Sequence, residues 1–156
     1  MQADRASSPP LAELLPHEPC ATLLDAVWIE SPLGTRGRAT VSERTLFHDE
    51  PAGWPAWLLV ELMAQLIAAG AGLRSHQPGV RPPPGLLLGV RNLKCRQEVL
   101  PPGMLLEMLA TESSQGLDRT AVYDCTVSSA GQVVAVATVM VHQPASFNDY
   151  LDGIEP

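Results

Sequence analysis

The sequence predicts an α+β fold in which an antiparallel sheet wraps around one long central helix. Three observations carry that expectation. Residues 53–73, "GWPAWLLVELMAQLIAAGAGL", form a helix-length, almost wholly apolar segment. Short β-like runs lie before it, and a longer set lies after it, joined by hairpin-type connectors. The chain has 156 residues, 46% apolar and 17% charged, which suits one globular domain with a single core. A helix apolar on most sides must be enclosed, and a curled sheet does this with few elements.

Taken in order, residues 1–10 and 145–156 are expected to be loose tails, rich in Pro, Ser and acidic residues, flanking a domain over 11–144. "LAELL", closed by Pro16, suits one or two helical turns. Residues 21–30 and 37–42 are predicted strands, separated by the turn signals of "SPLG". The central helix is expected over 55–72, with Pro55 in its first turn, where a missing N–H is no loss. Ala64, Ala68 and Gly72 recur every four residues, a stripe expected to let a sheet approach closely. "HQPGVRPPPG" breaks the helix. Strands are then predicted over 86–90 continuing as 92–99, and over 104–111, 120–128 and 132–142, with "LPPG" and "SSAGQ" as connectors. In "TAVYDCTV", Ala121, Tyr123, Cys125 and Val127 share one face.

The formal charge of −7 and the lack of a basic cluster argue against nucleic acid. An acidic partner would need a local basic patch, for which Arg74, Arg81, Arg91, Lys94 and Arg96 are the candidates. The polar N-terminus shows no secretory pattern, and Glu61 and Gln65 inside the apolar segment argue against a membrane span. Three widely spaced cysteines, Cys20, Cys95 and Cys125, suggest neither a zinc site nor a disulfide framework. They are expected to be small buried apolar residues of a cytoplasmic protein.

Glu61 is the chemically costly residue, a carboxylate among Leu, Val, Ala, Met and Ile. Gln65, four residues on, shares its helix face. Poor solvation of Glu61 would favour its neutral, proton-donating form, which loss of a hydroxyl as water requires. The bland alternative places Glu61 at an exposed or hydrogen-bonded edge, with Gln65 satisfying a backbone carbonyl. Such an elimination also needs a base, and histidine titrates in the right range. Of the four histidines, His76 falls in the Pro-rich loop and His142 ends the last strand with no visible partner. His17 lies near the N-terminal turn, and His48 lies on the loop feeding the helix, thirteen residues before Glu61.

The order of these segments resembles the hot-dog-fold 3-hydroxyacyl-[acyl-carrier-protein] dehydratases of fatty acid synthesis and their pigment-pathway relatives. "LLPHEPCATLLDAV" is similar to the family's opening Leu-Pro-His segment, and "WPAWLLVELMAQLIA" to its helix with Glu-x-Met-Ala-Gln. "LLLGVRNLKCRQEVLPPGMLLEM" is similar to its Gly-containing bent strand and Pro-Gly turn, and "AVATVMV" to its last strand. The resemblance spans roughly residues 11–143 and is closest to the branch found in aryl-polyene pigment clusters.

The resemblance implies a cofactor-free hydro-lyase that removes water from a (3R)-3-hydroxyacyl thioester, carried on the phosphopantetheine of an acyl carrier protein. It implies His48 as base, Glu61 as acid and Gln65 beside it, with Pro55, Ala56 and Gly89 against the substrate. The backbone N–H of Ala56 would polarise the thioester carbonyl. His17 matches the family's opening histidine and is the alternative base. No metal is implied. The acyl tunnel would lie between two hot-dog chains, as a homodimer or heterodimer, with His and Glu from different subunits. "LFHDEPAGWP" departs from the family's Gly-His-Phe-Pro-Gly-His-Pro, being one residue shorter and lacking Gly before His48. Two other readings therefore stand beside the enzyme: a non-catalytic or half-catalytic subunit of an active homologue, and a hot-dog acyl thioesterase.

Overall fold

The computed structural model describes residues 9–42 and 53–153. Six strands form one antiparallel sheet in the order β1-β2-β6-β7-β8-β4. They are β1 (Ala26–Ile29), β2 (Gly34–Thr40), β4 (Leu86–Cys95), β6 (Leu105–Gln115), β7 (Thr120–Ser129) and β8 (Gln132–His142). A two-stranded ribbon pairs β3 (Trp54–Pro55) with β5 (Val99–Leu100). Helix α2 (Leu58–Arg74) packs on β1, β2, β6 and β8, and against the short helix α1 (Leu11–Leu14). This is the α+β architecture expected, with Leu58, Leu59, Leu62, Met63 and Leu66 of α2 fully buried. Among the described residues no helix is long and apolar enough to cross a membrane.

The sheet accepts the helix because small residues interrupt the larger ones on its inner face. Gly37, Met108, Val127 and Ala135 lie in one cross-strand row, and Ala110, Cys125 and Ala137 in the next. A Cβ at Gly37 would stand 2.7 Å from Cδ1 of Leu66, so the large side chain comes from the helix and the space from the sheet. The stripe of Ala64, Ala68 and Gly72 was expected to do this and does not. Ala64 and Ala68 are only half-buried, on the side of α2 that carries Glu61, and Gly72 packs on the backbone of Leu14 in α1. At 100° per residue, the leucines occupy the side facing the sheet and leave the small residues elsewhere.

Other boundaries shift for identifiable reasons. Pro55 lies in the ribbon and not in the helix; a ribbon edge tolerates its missing N–H. Gly53 opens that ribbon at φ 96°, where a Cβ would overlap the Leu100 carbonyl. Residues 21–25 are not strand: Pro19–Ala21 form a single 3-10 turn, and β1 begins only at Ala26. Strand β4 is continuous across the two predicted runs, but slips register between Leu87 and Gly89 and between Arg91 and Lys94, with Asn92 at φ 54°. The connector "SSAGQ" is a tight hairpin with Ala130 and Gly131 both left-handed, at φ 49° and 76°. The expected C-terminal tail contains helix α3 (Phe147–Asp152), capped by the Ser146 hydroxyl, which accepts from the Asp149 N–H. Of the cysteines, Cys125 is buried, Cys95 half-buried and Cys20 exposed, so the expectation of three buried thiols fails at Cys20. Burial, reinforced by Asp124, pushes the Cys125 thiol up to about 12, which leaves it inert.

Candidate active site

The polar residues of α2 converge with the N-terminal segment. Gln65 is wholly buried, and its side-chain amide works as a piece of strand. Its Oε1 accepts from the Leu23 N–H at 2.8 Å, and its Nε2 donates to the Ala21 carbonyl at 2.8 Å. Residues 21–23 thus spend two backbone groups on a helix side chain, which is why β1 starts late. The same Nε2 donates to Oε1 of Glu61 at 2.9 Å. Both functions foreseen for Gln65, satisfying a backbone carbonyl and sitting beside Glu61, are present together.

His17 completes the cluster, with Nε2 3.2 Å from Glu61 Oε1. Its position follows from its flanks. Leu14 and Leu15 are anchored in the core, Pro16 and Pro19 stiffen the backbone, and Gln65 pins the chain downstream. His17 Nδ1 is buried with no hydrogen-bond partner. Glu61 is less enclosed than expected, since its side chain keeps 38% of its exposure. The desolvation foreseen for it is therefore largely missing within one chain. Trp57, the N-cap of α2, and Val60, Glu61, Ala64 and Ala68 follow one another along its accessible side, in an i, i+3, i+4, i+7, i+11 pattern.

The remaining predicted residues are spread out. His48 lies outside the described residues. The Ala56 N–H donates to the Glu98 carbonyl at 2.8 Å, so in this structure it is engaged and not available to a thioester oxygen. Pro55 pairs with Val99 in the ribbon, and Gly89 sits on the edge strand β4 opposite Met140. Arg81, Arg91, Lys94 and Arg96 are exposed. Arg74 is spent at home, donating to the carbonyls of Ser31, Pro32 and Gly34 and to Thr35 Oγ1. His76, in the Pro-rich loop, contacts Glu13 at 3.0 Å, and the His142 and Tyr150 ring centroids lie 5.8 Å apart, a partner hidden in sequence because α3 was not foreseen. The His17–Glu61 contact was missed as a pair. The only signal for it was a histidine between two prolines, set in an otherwise apolar opening segment.

The ApeP-like family model, described as ApeP dehydratase, matches residues 9–152. No curated protein matches the chain. Among solved structures, the dehydratase heterocomplex ApeI:P from Xenorhabdus doucetiae aligns with a TM-score of 0.85 at 24% identity, covering 96% of this chain and 100% of that one. A hypothetical thioesterase with coenzyme A from Streptococcus pneumoniae aligns at 0.57 and 15% identity, covering 83% and 99%. The TT0310 protein from Thermus thermophilus aligns at 0.55 and 21%, covering 75% and 91%. These similarities establish the hot-dog fold, which serves dehydratases and thioesterases alike. With the family model spanning nearly the whole described domain, the chain belongs to the ApeP-like dehydratases of the hot-dog fold.

Proposed function

We propose that this chain supplies the acid half of a dehydratase site acting on (3R)-3-hydroxyacyl thioesters, and that a second hot-dog chain completes it. One observation carries the reading. Among the described residues Glu61 is held by two contacts on one oxygen, Oε1, while its side chain, on the accessible side of α2, keeps 38% of its exposure. A carboxyl group held in that way presents Oε2 as the proton donor. In the reaction the C2–H bond breaks, and its electron pair forms the C2–C3 double bond. The C3–O bond breaks, and the hydroxyl leaves as water with the proton from Oε2. The base takes the C2 proton, and solvent restores both groups. No redox step occurs, so the elimination calls for no redox cofactor.

For the base we propose His48 where two copies of this chain pair, the His48 of one reaching the Glu61 of the other. In a heterodimer the second chain supplies the base that faces Glu61. Exposure of Glu61 in one chain favours a two-chain site, because a partner laid along Trp57, Val60, Ala64 and Ala68 would exclude the water that a single chain admits. Similarity to a heterocomplex favours a heterodimer over a homodimer, with the half-catalytic reading as its limiting case. A carrier protein would approach the exposed Arg81, Arg91, Lys94 and Arg96 in the cytoplasm, delivering the acyl chain on its phosphopantetheine. The test is turnover of a 3-hydroxyacyl carrier-protein substrate by the chain alone, by its partner alone and by the mixture. Release of enoyl product by the mixture, lost with Glu61→Gln, supports the proposal. Free acid release would indicate a thioesterase. Full activity of the partner with or without this chain would leave it a scaffold.

A further inference from the structure

The two ring nitrogens of His17 face unequal surroundings. Nε2 lies 3.2 Å from Glu61 Oε1, while Nδ1 is enclosed and has no partner. A neutral imidazole carries a single N–H. Placed on Nδ1, that hydrogen would be a buried donor without an acceptor, and a bare Nε2 would point its lone pair at a carboxyl oxygen. An imidazolium would bury the same unanswered donor. Placed on Nε2, the hydrogen is donated to Glu61, and only a lone pair is enclosed. The amide of Gln65 admits one orientation as well, because a flip would set its carbonyl against the Ala21 carbonyl and its NH₂ against the Leu23 N–H. Its Nε2–H is therefore the second donor to Glu61 Oε1.

We infer that His17 is fixed as the neutral Nε2–H tautomer and is a positioning residue that holds Glu61, not the base that takes the substrate's α-proton. Glu61 Oε1 receives donors from His17 and Gln65 on its two lone pairs, which assigns the exchangeable proton to Oε2. A base needs a free lone pair aimed at the substrate. His17 offers none, since Nε2 is a donor and Nδ1 is sealed inside the chain. The catalytic role of this arrangement rests on the dehydratase reading; the tautomer does not.

Two measurements separate these. Long-range ¹H–¹⁵N spectra of the full chain, with the His17 signals identified by their loss in His17→Gln, report which nitrogen is protonated. We expect a protonated Nε2 and a bare Nδ1; an Nδ1–H or a mixture of tautomers overturns the inference, whatever the enzyme does. In the complex with its partner, His17→Gln keeps an N–H donor near the Nε2 position without a base. Its kcat should fall by less than roughly threefold, whereas His17→Leu should lose roughly tenfold or more in kcat at nearly constant KM. Equal losses of roughly a hundredfold in both variants would make His17 the base, and a wild-type rate in His17→Leu would remove its positioning role. Should His17→Leu fail to fold, His17→Gln and the spectra decide. Absence of turnover in the wild-type complex would sink the dehydratase reading and leave the tautomer result standing.

Discussion

The two ends of helix α2 both tie it to the rest of the chain through polar groups, yet they are built differently. At the C-terminal end, the Arg74 guanidinium donates to three carbonyls and one hydroxyl of residues 31–35, and Gly70 lets Thr35 sit against the helix. The cation also lies at the negative end of the helix dipole. Every contact there closes on the chain itself. In the N-terminal half, Gln65 is as fully used, but among the described residues Glu61 is engaged through one oxygen only and His17 keeps a buried nitrogen without a partner. A polar network that closes on itself holds structure together. One that is closed on one side and open on the other is prepared to meet something else, and that difference marks the site more clearly than any cavity.

The largest expected effect tests the open end. Glu61→Gln keeps an acceptor for His17 and Gln65 but has no proton to give. Dehydration by the complex should drop by roughly 10² to 10⁴, with the unfolding temperature nearly unchanged. A variant that retains full turnover would show that the open end is not the acid. Gln65→Leu should disturb both sides of the comparison. It strands the Leu23 N–H and the Ala21 carbonyl, at a cost of about 2 to 4 kcal/mol, and it frees Glu61 to swing. Denaturant melts and rates should both fall, and a loss confined to either would show that the two jobs of Gln65 are separable.

How much of this could be read in the sequence differs between the two ends as well. The helix was legible because an apolar run with its charge at one place is a one-dimensional pattern, as was the alternation of "TAVYDCTV" in β7. Glu61 and Gln65 stood out as polar residues four apart in that run. The partner of Glu61 did not, because a contact between residues 17 and 61 depends on how α1 and the 3-10 turn dock, and no periodicity records that. The start of β1 was misplaced for the same reason, since a helix side chain replaces the neighbouring strand at residues 21–23. Arg74 was set among surface cations by its type alone, although its donors are consumed 40 residues back along the chain. Resemblance supplied the fold name and the chemistry, but placed the Ala56 N–H where the Glu98 carbonyl already binds it.

The closed end should answer in stability only. Gly70→Ala drives a methyl into the Thr35 side chain, and the neighbouring β2 backbone limits how far it can move. Arg74→Met removes the donors while keeping much of the side chain's bulk. Each should cost about 1 to 3 kcal/mol, a fall of about 2 to 12 °C in Tm on the usual scaling for a domain this size. Turnover per folded complex should be unchanged. If Arg74→Met instead lowered kcat in fully folded protein, the separation between a structural and a chemical end would be wrong.

The smallest effect concerns a third polar contact near the same helix, between His76 and Glu13. It joins the loop after α2 to α1 at 3.0 Å, and the two side chains keep 23% and 48% of their exposure. It resembles the His17–Glu61 pair in composition, a histidine against a glutamate, and it borders a small cavity lined also by Ser75, Gln77, Val80 and Arg81. What differs is the surroundings. Among the described residues no buried amide holds Glu13, and no orphaned ring nitrogen of His76 is enclosed. The two pairs are about equally exposed, His17 and Glu61 keeping 30% and 38%, so what differs is the network and not solvent access. Standing alone at a part-exposed surface, the His76–Glu13 pair should contribute no more than about 0 to 1 kcal/mol. His76→Gln should therefore move Tm by no more than about 4 °C and leave dehydration by the complex unchanged. A large loss of activity from His76→Gln would mean that composition outweighs the surrounding network. The asymmetry between closed and open networks would then not be what singles out the site at Glu61.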